Sequence, residues 1–426
     1  MTQSKPRQRA KIGPMLRLVL AAGWLLQPLA GPLLRRRLAR GKEDPLRLCE
    51  KLGQPRAARP HGPLIWLHGV GVGEVMALRG LIASLSDARP DLHFLVTSSA
   101  RSSGDVFAAN LPTRTIHHYL PLDLPRPVAR FLDHWRPDLA IWSDQEVWPR
   151  LAATCARRGI HQAYVAARIT DASAKARARF GRAYGDLYGL MDVIHAQDTG
   201  TAQRLEGLMQ GGDVHVSGSL KAAAAPLADA PDLRAKLPQG RRVWVAAPAH
   251  PADARIALDT QRGLMGEGGT DLLILAPRRM EDADGFAAHC RDMGLTACRR
   301  SRDEWPDETT AVFIADSFGE LGVWYRAARA ALIGGTFDAT EGHNPWEAVA
   351  LGCAIFHGPR TANFATDYKM LDNAGAALQV TNPKDLITAL QTSDVSQQAD
   401  RAASIRTQAA TGLQQITDDL LRLLAR

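Results

Sequence analysis

Cysteine is scarce in this chain and scattered. The five residues, Cys49, Cys155, Cys290, Cys298 and Cys353, include no CxxC pair. That excludes a zinc ribbon or a disulfide framework and fits a reducing compartment. There is no internal repeat and no low-complexity tract, so neither a solenoid nor a disordered chain is expected. No zinc-finger spacing, RNA-binding signature or block of basic residues interleaved with aromatics is present, which argues against nucleic acid as a partner. No cluster of ligating side chains marks a metal site, and no cofactor motif stands out; neither a metal nor a cofactor is expected. The one apolar stretch near the start, LVLAAGWLLQPLAGPLL between Arg17 and Arg35, is broken by Gln27, Pro28, Gly31 and Pro32. It falls slightly short of the roughly 20 residues that cross a bilayer.

What is present describes a folded chain of two domains. The 426 residues are 46% hydrophobic and 23% charged, too many for one ordinary core. Lys and Arg outnumber Asp and Glu by 52 to 44, a formal charge of +8, which favours anionic partners such as anionic lipid or a phosphorylated substrate. Basic clusters flank the apolar stretch: Lys5 to Lys11 before it, Arg35, Arg36, Arg37 and Arg40 after it. Three placements compete for residues 1–40: a cleaved signal peptide, a spanning helix, and a helix lying in the membrane interface. In the last, Trp24 and the leucines enter the acyl boundary and the arginines meet anionic headgroups, an arrangement that also suits the positive net charge.

Beyond residue 40, short apolar runs alternate with helical or loop sequence. Residues 64–68, 94–97, 139–142, 163–166, 193–195 and 214–217 read as strands of one βα domain, residues 41–225. Residues 243–247, 272–276, 312–315, 330–333 and 354–356 read as a second, residues 232–426, joined by the Ala/Pro-rich linker 222–231. The terminal stretch 404–426 reads as a helix with a basic end that crosses back onto the first domain. Two parallel βα domains in tandem predict an α/β fold with two Rossmann-like domains facing a cleft.

Two loops carry the candidate chemistry. In the first domain, strand 64–68 runs into Gly69-Val70-Gly71-Val72-Gly73, and Glu74 opens a helix with Val75, Leu78, Leu81, Ile82 and Leu85 on one face. Strand, glycine loop, helix is a ligand-binding arrangement, although a glutamate in a first helical turn also serves simply as a dipole partner. In the second, the stretch from Gly334 reads GGTFDATEGHNPWEAVALGCAIFHGPRTANF. Gly334 and Gly335 let a backbone approach a ligand closely. Asn344, Pro345 and Glu347 have the spacing of a capping box, with Glu347 reaching back to a backbone N–H. The alternative is that Glu347 accepts hydrogen bonds from ribose hydroxyls while the loop receives a phosphate.

This stretch resembles the nucleotide end of the 3-deoxy-D-manno-octulosonic acid (Kdo) transferases of lipopolysaccharide synthesis, whose motif runs GG-[ST]…GGHNPLEPAA-G-PV-GP…NF. The resemblance extends from about Gly41 to Thr381. HGVGVGE at 68–74 is similar to the family's HAVSVGE, and 119–125 and 144–149 are similar to its YxPLDxP and ExExWP. Gly218-Ser219-Leu220-Lys221 is similar to its GNLK turn, Pro277-Arg278-Arg279 to its PRH, and Gly319-Glu320-Leu321 with Tyr325 to its GEL…Y. The chain departs from the pattern at Gly71 for serine, Asp144 for glutamate, Ala166 for asparagine and Arg279 for histidine. It also has Ala348 for proline and no acidic pair after His250.

The resemblance implies a glycosyltransferase of the twin-Rossmann GT-B type that moves Kdo from CMP-Kdo to a lipid A precursor, lipid IVA, with inversion at the anomeric carbon. It makes Glu74 the catalytic base. It assigns the acceptor to Asp144, Glu146 and Arg168, although Asp144 and Glu146, two apart at a strand end, suit an ion pair with a nearby arginine equally well. It assigns the donor to Lys221, Arg278, Gly319, Glu320, Gly334, Gly335, Asn344 and Glu347. The run Lys175, Arg177, Arg179 and Arg182 is either a solvated helix face or a phosphate clamp. The expected location is the cytoplasmic face of the bacterial inner membrane, anchored by the N-terminal segment. Competing assignments are another twin-Rossmann nucleotide-sugar enzyme, an epimerase included, or a periplasmic two-domain binding protein.

Overall fold

The computed structural model describes residues 12–266, 268–391 and 394–425. The chain forms two compact units, one holding the residues up to Ala224 together with those from Gln408 on, the other Ala225–Thr407.

The first unit is built on a seven-stranded parallel sheet of β1 (Leu64–His68), β2 (His93–Ser98), β3 (Thr115–Tyr119), β4 (Leu139–Ser143), β5 (His161–Ala167), β6 (Val193–Ala196) and β7 (His215–Val216). Their order is β3-β2-β1-β4-β5-β6-β7. Every residue of β1 and β4 is buried, as a parallel sheet covered by helices on both faces requires. The two-residue period of β1 divides its side chains between two cores. Leu64 and Trp66 enter one, where Trp66 meets Phe131 and Trp142 edge to face at 5.0 and 5.1 Å. Ile65 and Leu67 enter the other, against Val75, Leu78, Leu81 and Leu85 of the helix Val72–Ala88. Ile416, Leu420 and Leu423 of the long helix Val395–Leu424 complete that second core.

The N-terminal segment is helical over Pro14–Leu26, tightens to a 3₁₀ turn at Gln27–Leu29 where Pro28 interrupts, and resumes over Ala30–Ala39. One side packs on the first unit. Leu16 is 1% exposed and belongs to its core, Arg150 donates to the Leu20 carbonyl, and the Gln27 side chain accepts from the Arg126 amide at 2.9 Å. The opposite side is apolar and bare: Trp24 is 62% exposed and Leu25 82%.

The second unit repeats the theme with β8 (Val243–Ala249), β9 (Leu272–Pro277), β10 (Ala297–Arg299), β11 (Val312–Ile314), β12 (Ala330–Ile333), β13 (Ala354–His357) and β14 (Ala377–Gln379). All are parallel, in the order β10-β11-β9-β8-β12-β13-β14. Strand order reverses between β1 and β4 in one sheet and between β8 and β12 in the other. Loops leaving such neighbouring strands diverge and open a crevice at their C-terminal ends, where open α/β sheets bind ligands.

Candidate active site

Glu74 stands at the reversal point of the first sheet. β1 ends at His68, the chain turns through Gly69 and Gly71, and the helix Val72–Ala88 begins with Glu74 in its first turn. The Val70 amide donates to Glu74 Oε2 at 2.7 Å, so the carboxylate is fixed over its own loop. Burial pushes its carboxyl above the usual glutamate range and the charge of Asp144 adds to this; the Val70 and Gly71 amides and Lys221 act against it. Glu74, Asp144, Ala166, Gln197, Ser219 and Lys221 line one small cavity.

Asp144 follows β4 directly and is buried, with φ at +59°. Its Oδ1 accepts from Arg168 Nε at 3.0 Å, and its carbonyl accepts from the Arg168 amide at 2.8 Å and the Tyr164 hydroxyl at 2.7 Å. The ion pair with a neighbouring arginine is therefore formed. Ala166, at the end of β5, also has a positive φ, +46°, and its carbonyl accepts from the Gln197 side chain at 3.0 Å. Two non-glycine residues held in the left-handed region, each costing about 1–3 kcal/mol, border the same cavity, a pattern found where ligands are held. Glu146 is not part of the cavity lining. Its carboxyl is pushed up by burial, against the Trp148 indole and the Arg177 guanidinium beside it, so the side shared by Asp144 and Glu146 in a strand reading is lost at the turn. Arg177 bonds the Gln145 carbonyl at 3.0 Å and lies 5.5 Å over the Tyr184 ring, which removes it from a purely solvated face.

Lys221, grouped by its motif with the donor, lines the same cavity as Glu74 in the first unit. A Cβ added to Gly73 would sit 3.7 Å from its Cε. Its ammonium favours the ionised form of Glu74.

In the second unit the residues that the resemblance assigns to the donor follow β9, β11 and β12, on the two sides of the reversal point between β8 and β12. Gly334 follows β12, and a side chain there would collide with the Pro248 carbonyl. Gly335, at φ +69°, donates its amide to Asp253 Oδ2 at 2.7 Å, while the Gly334 amide is taken by the Ala247 carbonyl at 3.2 Å. Both N–H groups are thus used within the protein and are not left over for a phosphate. Arg278, just past β9, and Asn344 stabilise the ionised form of Glu347, whose carboxyl burial pushes up. The capping box does not form as the spacing predicts. The helix is one turn, Trp346–Val349, starting after Pro345, and Asn344 Oδ1 accepts from the Trp346 amide at 3.1 Å. Glu347 therefore lies beside the Asn344 side chain, which favours its ionised form, and takes no backbone amide among the described residues. At the next strand end, Gly319 turns at φ +81°. Glu320 is gripped by Arg300 through two bonds of 3.1 and 3.0 Å, and Phe318 between β11 and this turn is 80% exposed.

Sequence reasoning passed over Asp253 and the pair His250 and His343. Asp253 is fully buried and ties the His250 and Gly335 amides together. The two imidazoles stack with Nε2 atoms 2.9 Å apart. Burial, His250 and Arg278 push His343 down to about 4. An acidic residue three positions after the Ala-His turn was the available signal for Asp253.

Two parallel sheets, each with polar side chains collected where its strand order reverses, define a twin-Rossmann protein of the GT-B glycosyltransferase class. In fold it is similar to MurG of Acinetobacter baumannii, with a TM-score of 0.53 at 11% identity over 85% of this chain and all of that one. Residues 46–224 match the family model described as 3-deoxy-D-manno-octulosonic-acid transferase (kdotransferase). The 3-deoxy-D-manno-octulosonic acid transferase of Rickettsia felis is 32% identical over 77% of this chain and 70% of its own length. That of Haemophilus influenzae is 29% identical over 80% and 81%. The chain belongs to the Kdo transferase family and is a glycosyltransferase.

Proposed function

We propose that the chain moves Kdo from CMP-Kdo to a hydroxyl of a phosphorylated lipid A precursor, lipid IVA, with inversion at the anomeric carbon. The observation that carries this reading is the Glu74 carboxylate, anchored by one backbone amide and held above the ordinary glutamate range beside Lys221. A carboxylate raised in this way suits removal of a proton from an alcohol. Asp144, steadied by Arg168, accepts from other hydroxyls of the acceptor. Arg278 meets the phosphate of the leaving CMP as its negative charge grows. Glu347 and Asn344 take the ribose, and Phe318 offers a face to the base beside the Gly319 turn. The donor carries a single phosphate, and the scheme uses no metal and no cofactor.

The segment 14–39 lies on the cytoplasmic face of the bacterial inner membrane with Leu18, Trp24 and Leu25 in the acyl boundary and Arg35, Arg36 and Arg40 on anionic headgroups. Its packed inner side and bare apolar outer side support this placement over a spanning helix or a cleaved leader.

Incubation of the purified chain with radiolabelled CMP-Kdo and the lipid precursor in detergent tests the proposal. Labelled glycolipid with Kdo added is expected, and Glu74→Ala should slow its formation by about 10²- to 10⁴-fold while CMP still binds. No labelled lipid from the wild type would sink the substrate assignment, and full activity of the variant would remove Glu74 from its role.

A further inference from the structure

The turn after β11, residues 316–320, is held by side chains from one neighbouring segment. Its own backbone contributes little: the peptide groups of Phe318 and Gly319 take no backbone partner among the described residues, and Gly319 stands at φ +81°. Where the turn lies is therefore decided by what grips its two carboxylates. Asp316 accepts from Arg299 Nε and Nη2 at 2.9 and 2.7 Å, and from the Ser301 amide and hydroxyl at 2.9 and 2.7 Å. Glu320 accepts from Arg300 Nε and Nη2 at 3.1 and 3.0 Å, and Ser317 donates to it from inside the turn. The partners from outside the turn all belong to residues 299–301, at the end of β10.

The Arg300–Glu320 pair differs from an ordinary surface ion pair, which contributes little. Two guanidinium nitrogens meet both carboxylate oxygens, a fork that fixes direction as well as distance, and the two side chains are only 20% and 17% exposed. The guanidinium also lies 5.0 Å over the Trp305 ring. Trp305 in turn stacks at 5.7 Å on Phe313, a fully buried residue of β11. A continuous line of contacts thus runs from a buried strand through Trp305 and Arg300 to Glu320. The Glu320 carboxylate has little left for a ligand: an ionised carboxyl offers about four acceptor positions, and bonds from Arg300 and Ser317 already occupy most of them. Phe318, between the two anchors, is the bare side chain of the turn. An aromatic face fixed by anchored neighbours is pre-organised for a stacking partner.

We infer that Arg300 is a positioning residue for the donor: through Glu320 it holds the Gly319 turn, and with it Phe318, where the nucleotide base stacks. Glu320 is then a strut of that turn and not a donor ligand. The inference rests on the CMP-Kdo reading proposed above.

Titration calorimetry of CMP on the full chain tests it, with Arg300→Met, Glu320→Met and the double variant. Each single change should raise the Kd for CMP about tenfold, the worth of one stacked base. The double variant should do no more than either, because both changes remove the same fork. With CMP-Kdo as donor, KM should rise by the same factor while kcat stays, since the base is remote from the bond that breaks and contributes equally to ground and transition states. A general loosening of the unit would lower kcat as well, and would overturn the inference. Arg300→Lys, which keeps the charge and loses the fork, should fall between wild type and Arg300→Met, and it carries the test if Arg300→Met does not fold. Wild-type affinity in the Arg300 variants while Glu320→Met binds weakly would make Glu320 a ligand and overturn the inference, as would effects that add in the double variant. A wild type that does not bind CMP would instead bring down the donor reading, and the inference with it.

Discussion

The proposed base Glu74 is tuned by two charged neighbours, and each can be removed singly. Burial and Asp144 raise its carboxyl while Lys221 lowers it. A general base acts only when ionised, so kcat/KM must fall as the pH drops through the Glu74 value, and that acid limb should lie above the ordinary glutamate range. Asp144→Asn removes a raising charge and should move the limb to lower pH. Lys221→Met removes a lowering charge and should move it higher. Limbs that move together, or not at all, in the pH–rate profiles would show that another group titrates. The same comparison separates Lys221 from the donor, because a donor ligand would raise KM for CMP-Kdo without shifting the limb. For Glu347 the capping geometry is not formed, since the helix begins after Pro345 and Asn344 accepts from the Trp346 amide. Glu347→Ala should weaken CMP by about 1.5 to 3 kcal/mol, the worth of hydrogen bonds to a charged group. Titration calorimetry reads this directly; unchanged affinity with a lowered melting temperature would return Glu347 to a structural role.

The N-terminal helix has two faces with opposite requirements. Leu16, at 1% exposure, fills the first unit's core, and Leu16→Ala should cost about 2 to 5 kcal/mol in urea unfolding. Trp24 and Leu25 touch little of the protein. Trp24→Glu with Leu25→Glu should leave stability within about 0.5 kcal/mol and abolish sedimentation with anionic vesicles. Vesicle binding that survives the double change would show that this side does not meet the membrane. The strands divide in a related way. The central ones are legible as apolar runs because both their faces are buried; residues 64–68 coincide with β1 and 330–333 with β12. The strands that the apolar pattern passes over, β3 with its two histidines, β10 and β14, all lie at sheet edges. An edge strand has less apolar surface to cover and so needs no apolar run. The capping spacing at Asn344 misled for a different reason: local chemistry permits two partners for one carboxylate, and the surrounding packing selects between them.

At the scale of the molecule, the last helix makes the first unit depend on both ends of the chain. Ile416, Leu420 and Leu423 pack with Ile65, Leu67 and Leu85, Thr417 meets Ser84 at 2.9 Å, and the buried His195 imidazole stands 3.2 Å from Asp419. Ile416→Ala should cost about 2 to 5 kcal/mol, and deletion from Gln408 on should leave the first unit unable to fold, with light scattering and lost helical signal as the readouts. A soluble, cooperatively folding truncation would show that the tail is dispensable. The sequence by itself determined the fold class, the family, and the short stretches that carry Glu74 and Glu347, because strand burial, glycine turns and polar side chains at strand ends are local patterns. Only the tertiary structure decided that Lys221 stands beside Glu74, that Asp144 pairs with Arg168 while Glu146 stays outside the cavity, and that Gly334 and Gly335 have no free amides. Those are meetings between residues distant along the chain, and their outcome follows from which strands lie side by side and what their turns bury.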